Sequence, residues 1–212
     1  MVSWWIHSII LRRSRSGLRW GKLECSGPFL LVCAALFYLD QENVLPWVAL
    51  AAILHESGHY AAAVLAGGRV RRVRAALTGC CMELDPRQPL SYGGEMAVIL
   101  SGPAVDLILA GAAAQLGAWW EPLYLFAGIN LALGVFNLLP VYPLDGGRLA
   151  RLILTAFLTP DRAVAAVQLC SFGLAALYLT VQGILLLQGR GSPAFLIFGG
   201  WLLAGAASGE WV

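Results

Sequence analysis

Six apolar stretches, separated by short polar segments, set the hydrophobic pattern of this chain. They cover residues 28–39, 44–67, 96–119, 123–139, 163–187 and 193–207. A helix needs about 17–25 apolar residues to cross ~30 Å of hydrocarbon, and the first and sixth stretches are shorter than that. The first either extends back to Trp20 or crosses a thinned region at a tilt. The pattern predicts an all-α polytopic membrane protein with about six transmembrane helices.

One loop between these stretches, residues 69–94, has a different character because it is too polar to span a membrane. It contains two short runs of β type, 69–77 and 80–84, separated by Thr78-Gly79. Two such runs around a turn dipeptide indicate a small β-hairpin. We expect this hairpin to be associated with the membrane surface.

The N-terminal 27 residues form a separate segment in this scheme. Residues 1–11 are apolar, have no basic residue ahead of them and are too short to span, so they are not a secretory signal peptide. We expect an interfacial, cytoplasmic segment with Trp4 and Trp5 among the lipid headgroups. An organellar presequence is the weaker alternative, based on the first acidic residue being Glu24. The transmembrane domain then covers residues 28–208.

Arginines collect on one side of the predicted arrangement. They lie before the first stretch, between the second and third, and between the fourth and fifth, whereas the other loops are acidic or neutral apart from Arg190. The positive-inside rule therefore predicts cytoplasmic termini. The expected location is a bacterial plasma membrane, with the protein crossing it several times.

Composition supports a membrane protein and excludes other classes. The chain is 59% hydrophobic and 12% charged, well below the roughly 25% charged residues of soluble domains. A net charge of +2 gives no basic surface for nucleic acid, so nucleic-acid binding is not expected. The five cysteines include no C-x-x-C pair, which indicates neither a disulfide framework nor a cysteine zinc site. We interpret adjacent Cys80 and Cys81 as packing residues.

The second apolar stretch carries a His-Glu-x-x-His motif, His55 to His59. On a helix, residues four apart share one face, so His55 and His59 can hold one zinc ion through their imidazoles. Glu56 would serve as general base toward the attacking water. Because a catalytic zinc site normally has three protein ligands, a third ligand is expected elsewhere.

The best candidate for the third ligand follows the fourth stretch. Residues 136–148 contain Pro140 and Pro143 followed by Gly146-Gly147. This composition cannot remain a regular helix, and the exposed backbone must face protein or water. Asp145 is then presented from a loop or a helix end. A shared metal in a wet pocket accounts for all four ionisable residues in apolar surroundings, where each would otherwise be costly.

These two motifs together resemble the site-2 proteases, which are intramembrane zinc metalloproteases. The motifs are His-Glu-x-x-His and, two spans later, Asn-x-x-Pro-x-x-Pro-Leu-Asp-Gly-Gly, with Gly102-Pro103 in the intervening helix. The layout is most similar to the branch of the sporulation sigma-factor-processing protease. The resemblance implies His55, His59 and Asp145 as zinc ligands and Glu56 as catalytic base. It also implies that Asn137 binds the substrate backbone or the developing oxyanion.

The resemblance further implies cleavage of a membrane protein substrate within the lipid bilayer, in regulated intramembrane proteolysis. The sequence shows no PDZ domain in its loops and no C-terminal CBS domain, unlike some relatives. We therefore expect substrate control to fall to a separate regulatory membrane protein, to the hairpin, or to no element at all. The hairpin is also a candidate to hold unwound substrate as an added β-strand.

Two other classes of function compete with proteolysis. A non-catalytic membrane protein could use the same residues to bind or transport a metal, although such a protein needs no base at Glu56. A hydrolase could act on lipid or a small amide. Several polar residues also have simpler interpretations. His7 is expected to be interfacial, Asn130 to form a hydrogen bond between helices, and Arg148 to pair with lipid phosphate or with Asp145. Asp106 either lines the cavity or makes a structural hydrogen bond to a neighbouring helix.

Overall fold

The structure, a computed structural model, describes residues 17–76, 79–190 and 193–208. The predicted interfacial residues Trp4, Trp5 and His7 lie outside this part of the chain. The chain forms two compact units that divide between Val135 and Phe136. We describe each unit by itself.

The first unit combines a small sheet with apolar helices. Its elements are β1 (Gly17–Trp20), β2 (Leu23–Ser26), α1 (Gly27–Leu39), α2 (Leu45–Leu65), β3 (Val70–Ala76), β4 (Gly79–Leu84), α3 (Tyr92–Leu116) and most of α4 (Pro122–Asn137). Helix α2 begins at a defined cap, because the Asp40 carboxylate accepts hydrogen bonds from the amides of Val44 and Leu45 at 3.0 and 2.7 Å. Such bonds satisfy amides that have no partner inside the helix.

Helices α2 and α3 pack closely in this unit. A Cβ atom at Gly58 would lie 2.9 Å from the carbonyl oxygen of Ser101, so only glycine fits there. Small residues allow helix backbones to approach each other in this way. The core of the unit consists of Ala51, Ala113, Phe126 and Ala127.

The predicted hairpin is present as β3 and β4, but it is part of a larger sheet. The strand order is β1-β2-β3-β4, with β1/β2 and β3/β4 antiparallel and β2/β3 parallel. Residues 17–26 were predicted as part of an interfacial segment or as a backward extension of the first helix to Trp20, and the extension is wrong because they form β1 and β2. Glu24 on β2 pairs with Arg72 at 3.4 Å and Arg74 at 3.2 Å on β3, and this long-range pairing leaves no trace in the local pattern.

The second unit contains the end of α4 followed by α5 (Asp145–Leu154), α6 (Pro160–Leu187) and α7 (Pro193–Ser208). Val141, Leu144, Ala175 and Leu202 form its core. Helix α5 was not predicted, because two prolines followed by paired glycines indicated only a break. The chain does break at Pro140 and Pro143, but Gly146 and Gly147 lie in the first turn of α5, which starts directly after the break.

All six apolar stretches form helices, but the structure supports fewer crossings than we predicted. Within the described residues, three helices, α2, α3 and α6, are long and apolar enough to span a membrane, while the apolar parts of α1, α4 and α7 are shorter. The protein is therefore a mostly helical membrane protein with a small sheet. Six crossings remain a prediction.

Candidate metal centre

The two motif histidines lie on one buried face of α2. His55 is 5% and His59 8% exposed, and their Nε2 atoms are 3.0 Å apart. This is the arrangement expected from residues four apart on a helix. The structure thus brings both predicted histidines together.

The hydrogen bond made by Nδ1 of each ring determines whether its Nε2 atom carries a proton or a lone pair. His59 Nδ1 lies 2.7 Å from the carbonyl oxygen of Val98, which can only accept, so His59 donates its Nδ1 proton. His55 Nδ1 lies 2.7 Å from Asp106 Oδ2, and an ionised carboxylate also accepts only. Both Nε2 atoms therefore present lone pairs to each other.

Two lone pairs at this distance fit a shared cation. Zinc binds imidazole nitrogen at about 2.0–2.1 Å in tetrahedral geometry, which places two such nitrogens about 3.3 Å apart. The observed 3.0 Å separation is close to that value. The donor set on α2 therefore suits zinc.

Helix α3 passes close to the imidazoles at Gly102. A Cβ atom there would lie 2.8 Å from His55 Cε1 and closer still to His59 Nε2. Gly102 and Pro103 are both buried. Gly102, the first residue of the Gly-Pro pair noted in the sequence, thus provides the space that the two rings occupy.

Glu56, the predicted base, is half-buried and lies beside the sheet. The Cys80 thiol on β4 hydrogen-bonds its carboxylate. Burial raises the pKa of Cys80 to about 12, and the Glu56 carboxylate contributes to the rise. Cys80 thus stays protonated at neutral pH and donates to Glu56. Our interpretation of Cys80 as only a packing residue missed this contact.

Asp145, the predicted third ligand, belongs to the second unit. It is the first residue of α5 and is 7% exposed. A helix N-terminus stabilises a carboxylate at this position, and Arg148 Nη1 lies 3.9 Å from Asp145 Oδ1. Of the two predicted settings, a loop or a helix end, the structure has the helix end, and of the two predicted partners of Arg148 it shows Asp145.

The turn before Asp145 is held tightly within the second unit. The Tyr142 amide donates to Ser171 Oγ at 2.9 Å, and Ser171 donates to the carbonyl of Val167 at 2.7 Å. A Cβ atom at Gly147 would lie 2.7 Å from the Val141 carbonyl. Sequence reasoning missed Ser171, and its only signal was a serine in an apolar helix.

The predicted roles of two other polar residues, Asn137 and Asn130, compare differently with the structure. Asn137 ends α4 and is half-buried, and its role in binding stays a prediction. The prediction that Asn130 bonds to another helix is wrong, because its amide donates to the carbonyl of Phe126 in the same helix at 2.8 Å. That carbonyl lies one turn back, within easy reach of the side chain.

A membrane-type helix with paired histidines and an adjacent glutamate defines a metalloprotein of the His-Glu-x-x-His class. Comparison with known proteins supports this. Residues 105–180 match the profile of peptidase family M50. Stage IV sporulation protein FB of Bacillus subtilis is 34% identical over 146 residues, which are 64% of this chain and 49% of that protein.

Other relatives are named as zinc metalloproteases. Zinc metalloprotease MJ0392 of Methanocaldococcus jannaschii is 29% identical, over 60% of this chain and 40% of its own. The putative zinc metalloprotease Rip3 of Mycobacterium tuberculosis is 33% identical, over 76% of this chain and 44% of its own. The fold matches the solved site-2 protease from Methanocaldococcus jannaschii with a TM-score of 0.69 and 22% identity, covering 92% of this chain and 96% of that one.

The chain is thus similar to peptidase family M50 over residues 105–180, and its fold is that of a solved site-2 protease. This confirms the resemblance that the two motifs indicated. The chain spans less than half the length of these curated relatives.

Proposed function

We propose that the protein is an intramembrane zinc endopeptidase that cleaves a transmembrane or membrane-edge segment of another membrane protein. The observation that carries this proposal is the pair of Nε2 lone pairs 3.0 Å apart on α2, directly beside Glu56. The similarity to peptidase family M50 and to its relatives supports the same function.

The proposed ligands are His55, His59 and Asp145. Three protein ligands leave one coordination position open for chemistry. Support for Asp145 comes from its burial at a helix N-terminus and from the motif that contains it. When bound, zinc would polarise the scissile carbonyl and activate water.

The chain's own residues carry the proton transfers. Glu56 takes a proton from the attacking water and returns it to the leaving amine, as a general base and then a general acid. The Cys80 thiol holds the Glu56 carboxylate in place through its hydrogen bond. Asn137 is proposed to donate to the substrate backbone or the developing oxyanion.

We propose that the substrate binds along β4, which is an edge strand of the sheet. A helical substrate hides its carbonyls in hydrogen bonds, so its cleaved segment must be extended. Strand β4 forms an edge of the sheet, and its residue Cys80 contacts the base Glu56. A substrate strand added to β4 would therefore run past the proposed base, held by backbone hydrogen bonds.

We also propose an orientation and a cellular location for the protein. The arginine distribution supports cytoplasmic termini in a bacterial plasma membrane. We further propose that a separate membrane protein regulates cleavage.

Glu56 distinguishes proteolysis from metal binding or transport, because those functions need no base. The test is to co-express wild type, Glu56→Gln and the control Glu42→Gln with candidate single-span proteins and to follow cleavage by immunoblot. Glu42 is an exposed loop residue, so Glu42→Gln should cleave like wild type. Glu56→Gln should not cleave, and cleavage by it would refute the proposed role. If wild type hydrolyses lipid or small amides instead of these proteins, the substrate class is wrong.

A further inference from the structure

We propose that Asp106 is a positioning residue of the metal centre, whose carboxylate holds His55 in the tautomer that can bind zinc through Nε2. This inference rests on the proposed zinc site. Neither the motifs nor the family resemblance assigned a role to Asp106.

The burial of Asp106 requires a specific partner. The residue is 0% exposed and lies on α3, a helix long and apolar enough to cross a membrane. A carboxylate in such surroundings costs at least ~2.5 kcal/mol on insertion scales. Its Oδ2 lies 2.7 Å from His55 Nδ1, while Oδ1 has no hydrogen-bond partner in the described part of the chain. The hydrogen bond to His55 is therefore the specific interaction that this buried carboxylate makes.

Neighbouring residues leave room for this contact. A Cβ atom at Gly134 on α4 would lie 3.0 Å from Asp106 Cβ and 3.3 Å from Leu107 Cδ2. The missing side chain at Gly134 therefore lets α4 approach without displacing Asp106. Asp106 follows Gly102, which borders both imidazoles, by one helical turn.

The two histidines are held by different kinds of acceptor. His59 donates to a backbone carbonyl of α3, whereas His55 donates to a carboxylate. A carboxylate orients the ring and also raises the basicity of the metal-binding nitrogen, and loss of such a partner typically weakens metal binding about 10- to 100-fold. Since the His59 partner is backbone, Asp106 is the one of these two acceptors that a substitution can remove.

The experiment compares full-length wild type, Asp106→Leu, Asp106→Asn and Asn130→Leu in detergent micelles. Asn130 is a matched control, because it is also 0% exposed and its amide donates to its own helix. Zinc affinity is measured by competition with a chelator. The tautomer of His55 in metal-free protein is read from ¹⁵N histidine chemical shifts.

Asp106→Leu should bind zinc about 10- to 100-fold more weakly than wild type. Asp106→Asn keeps an acceptor oxygen but loses the charge, so its affinity should fall between the two. Asn130→Leu should bind zinc like wild type. In metal-free protein, His55 should carry its proton on Nδ1 in wild type, and Asp106→Leu should abolish that preference.

The inference is overturned if Asp106→Leu matches wild type in zinc affinity and in tautomer. It is equally overturned if Asn130→Leu weakens zinc binding as much as Asp106→Leu, because the effect would then be one of packing. If Asp106→Leu does not fold, Asp106→Asn decides, and wild-type affinity there would exclude a role for the charge. Wild type that binds no zinc would refute the proposed function, while the metal-free tautomer would still test Asp106.

Discussion

Replacing Gly102 by alanine should disrupt the metal centre while leaving α3 helical. The added Cβ would lie 2.8 Å from His55 Cε1 and 2.6 Å from His59 Cε1, whereas carbon atoms in contact stay about 3.5–4.0 Å apart. Both imidazoles must therefore move by about 1 Å. Metal-ligand distances tolerate only about ±0.2 Å, and an error of about 1 Å in a catalytic geometry costs roughly 100-fold in rate.

Gly111→Ala is the matched control, because it lies on the same helix and a Cβ there would meet nothing within 4 Å. Zinc per chain, measured by mass spectrometry of purified protein, should fall well below one in Gly102→Ala and match wild type in Gly111→Ala. Cleavage should fall by about 100-fold or more in Gly102→Ala. Wild-type zinc content and cleavage in Gly102→Ala would refute the assignment of these imidazoles to the metal centre.

Three further predictions concern the turn before Asp145, the edge strand and the orientation. Ser171→Ala should lower zinc affinity because it leaves the Tyr142 amide without its acceptor. Thr180→Ala should not, because on the same helix it removes only a hydroxyl bond to the carbonyl one turn back, like the one Ser171 makes to Val167. Successive amides of β4 alternate between facing β3 and facing the free edge. Proline should therefore impair cleavage far more than alanine at one of Cys81 and Met82. If proline has no effect at either position, strand addition is excluded. A cytoplasm-active reporter should work fused after residue 67 and fail after residue 42, and the reverse result overturns the orientation.

Elements fixed by local pattern could be predicted from the sequence. The apolar stretches became helices because burial in lipid or protein requires internally satisfied backbone. His55 and His59 share a face because helical periodicity alone determines it. The break before Asp145 follows from Pro140 and Pro143, whereas the paired glycines that also indicated a break lie inside α5.

Features that depend on distant residues could not be predicted in this way. Strand β2 pairs in parallel with β3, and the paired residues lie 50 apart in the sequence, as Glu24 and Arg74 do. Asp106 contacts His55 across 51 residues, so the sequence showed a buried acid without naming its partner. The contact of Cys80 with Glu56 likewise requires the sheet to be placed beside α2.

The most direct test of the account is the zinc content of purified Asp145→Ala. Wild type and Glu56→Gln should each hold about one zinc per chain, since both retain the three proposed ligands. Asp145→Ala should lose most of its zinc, and Asp161→Ala, which removes an exposed carboxylate from the first turn of α6, should keep it. Full zinc occupancy in Asp145→Ala would contradict the proposed three-ligand centre.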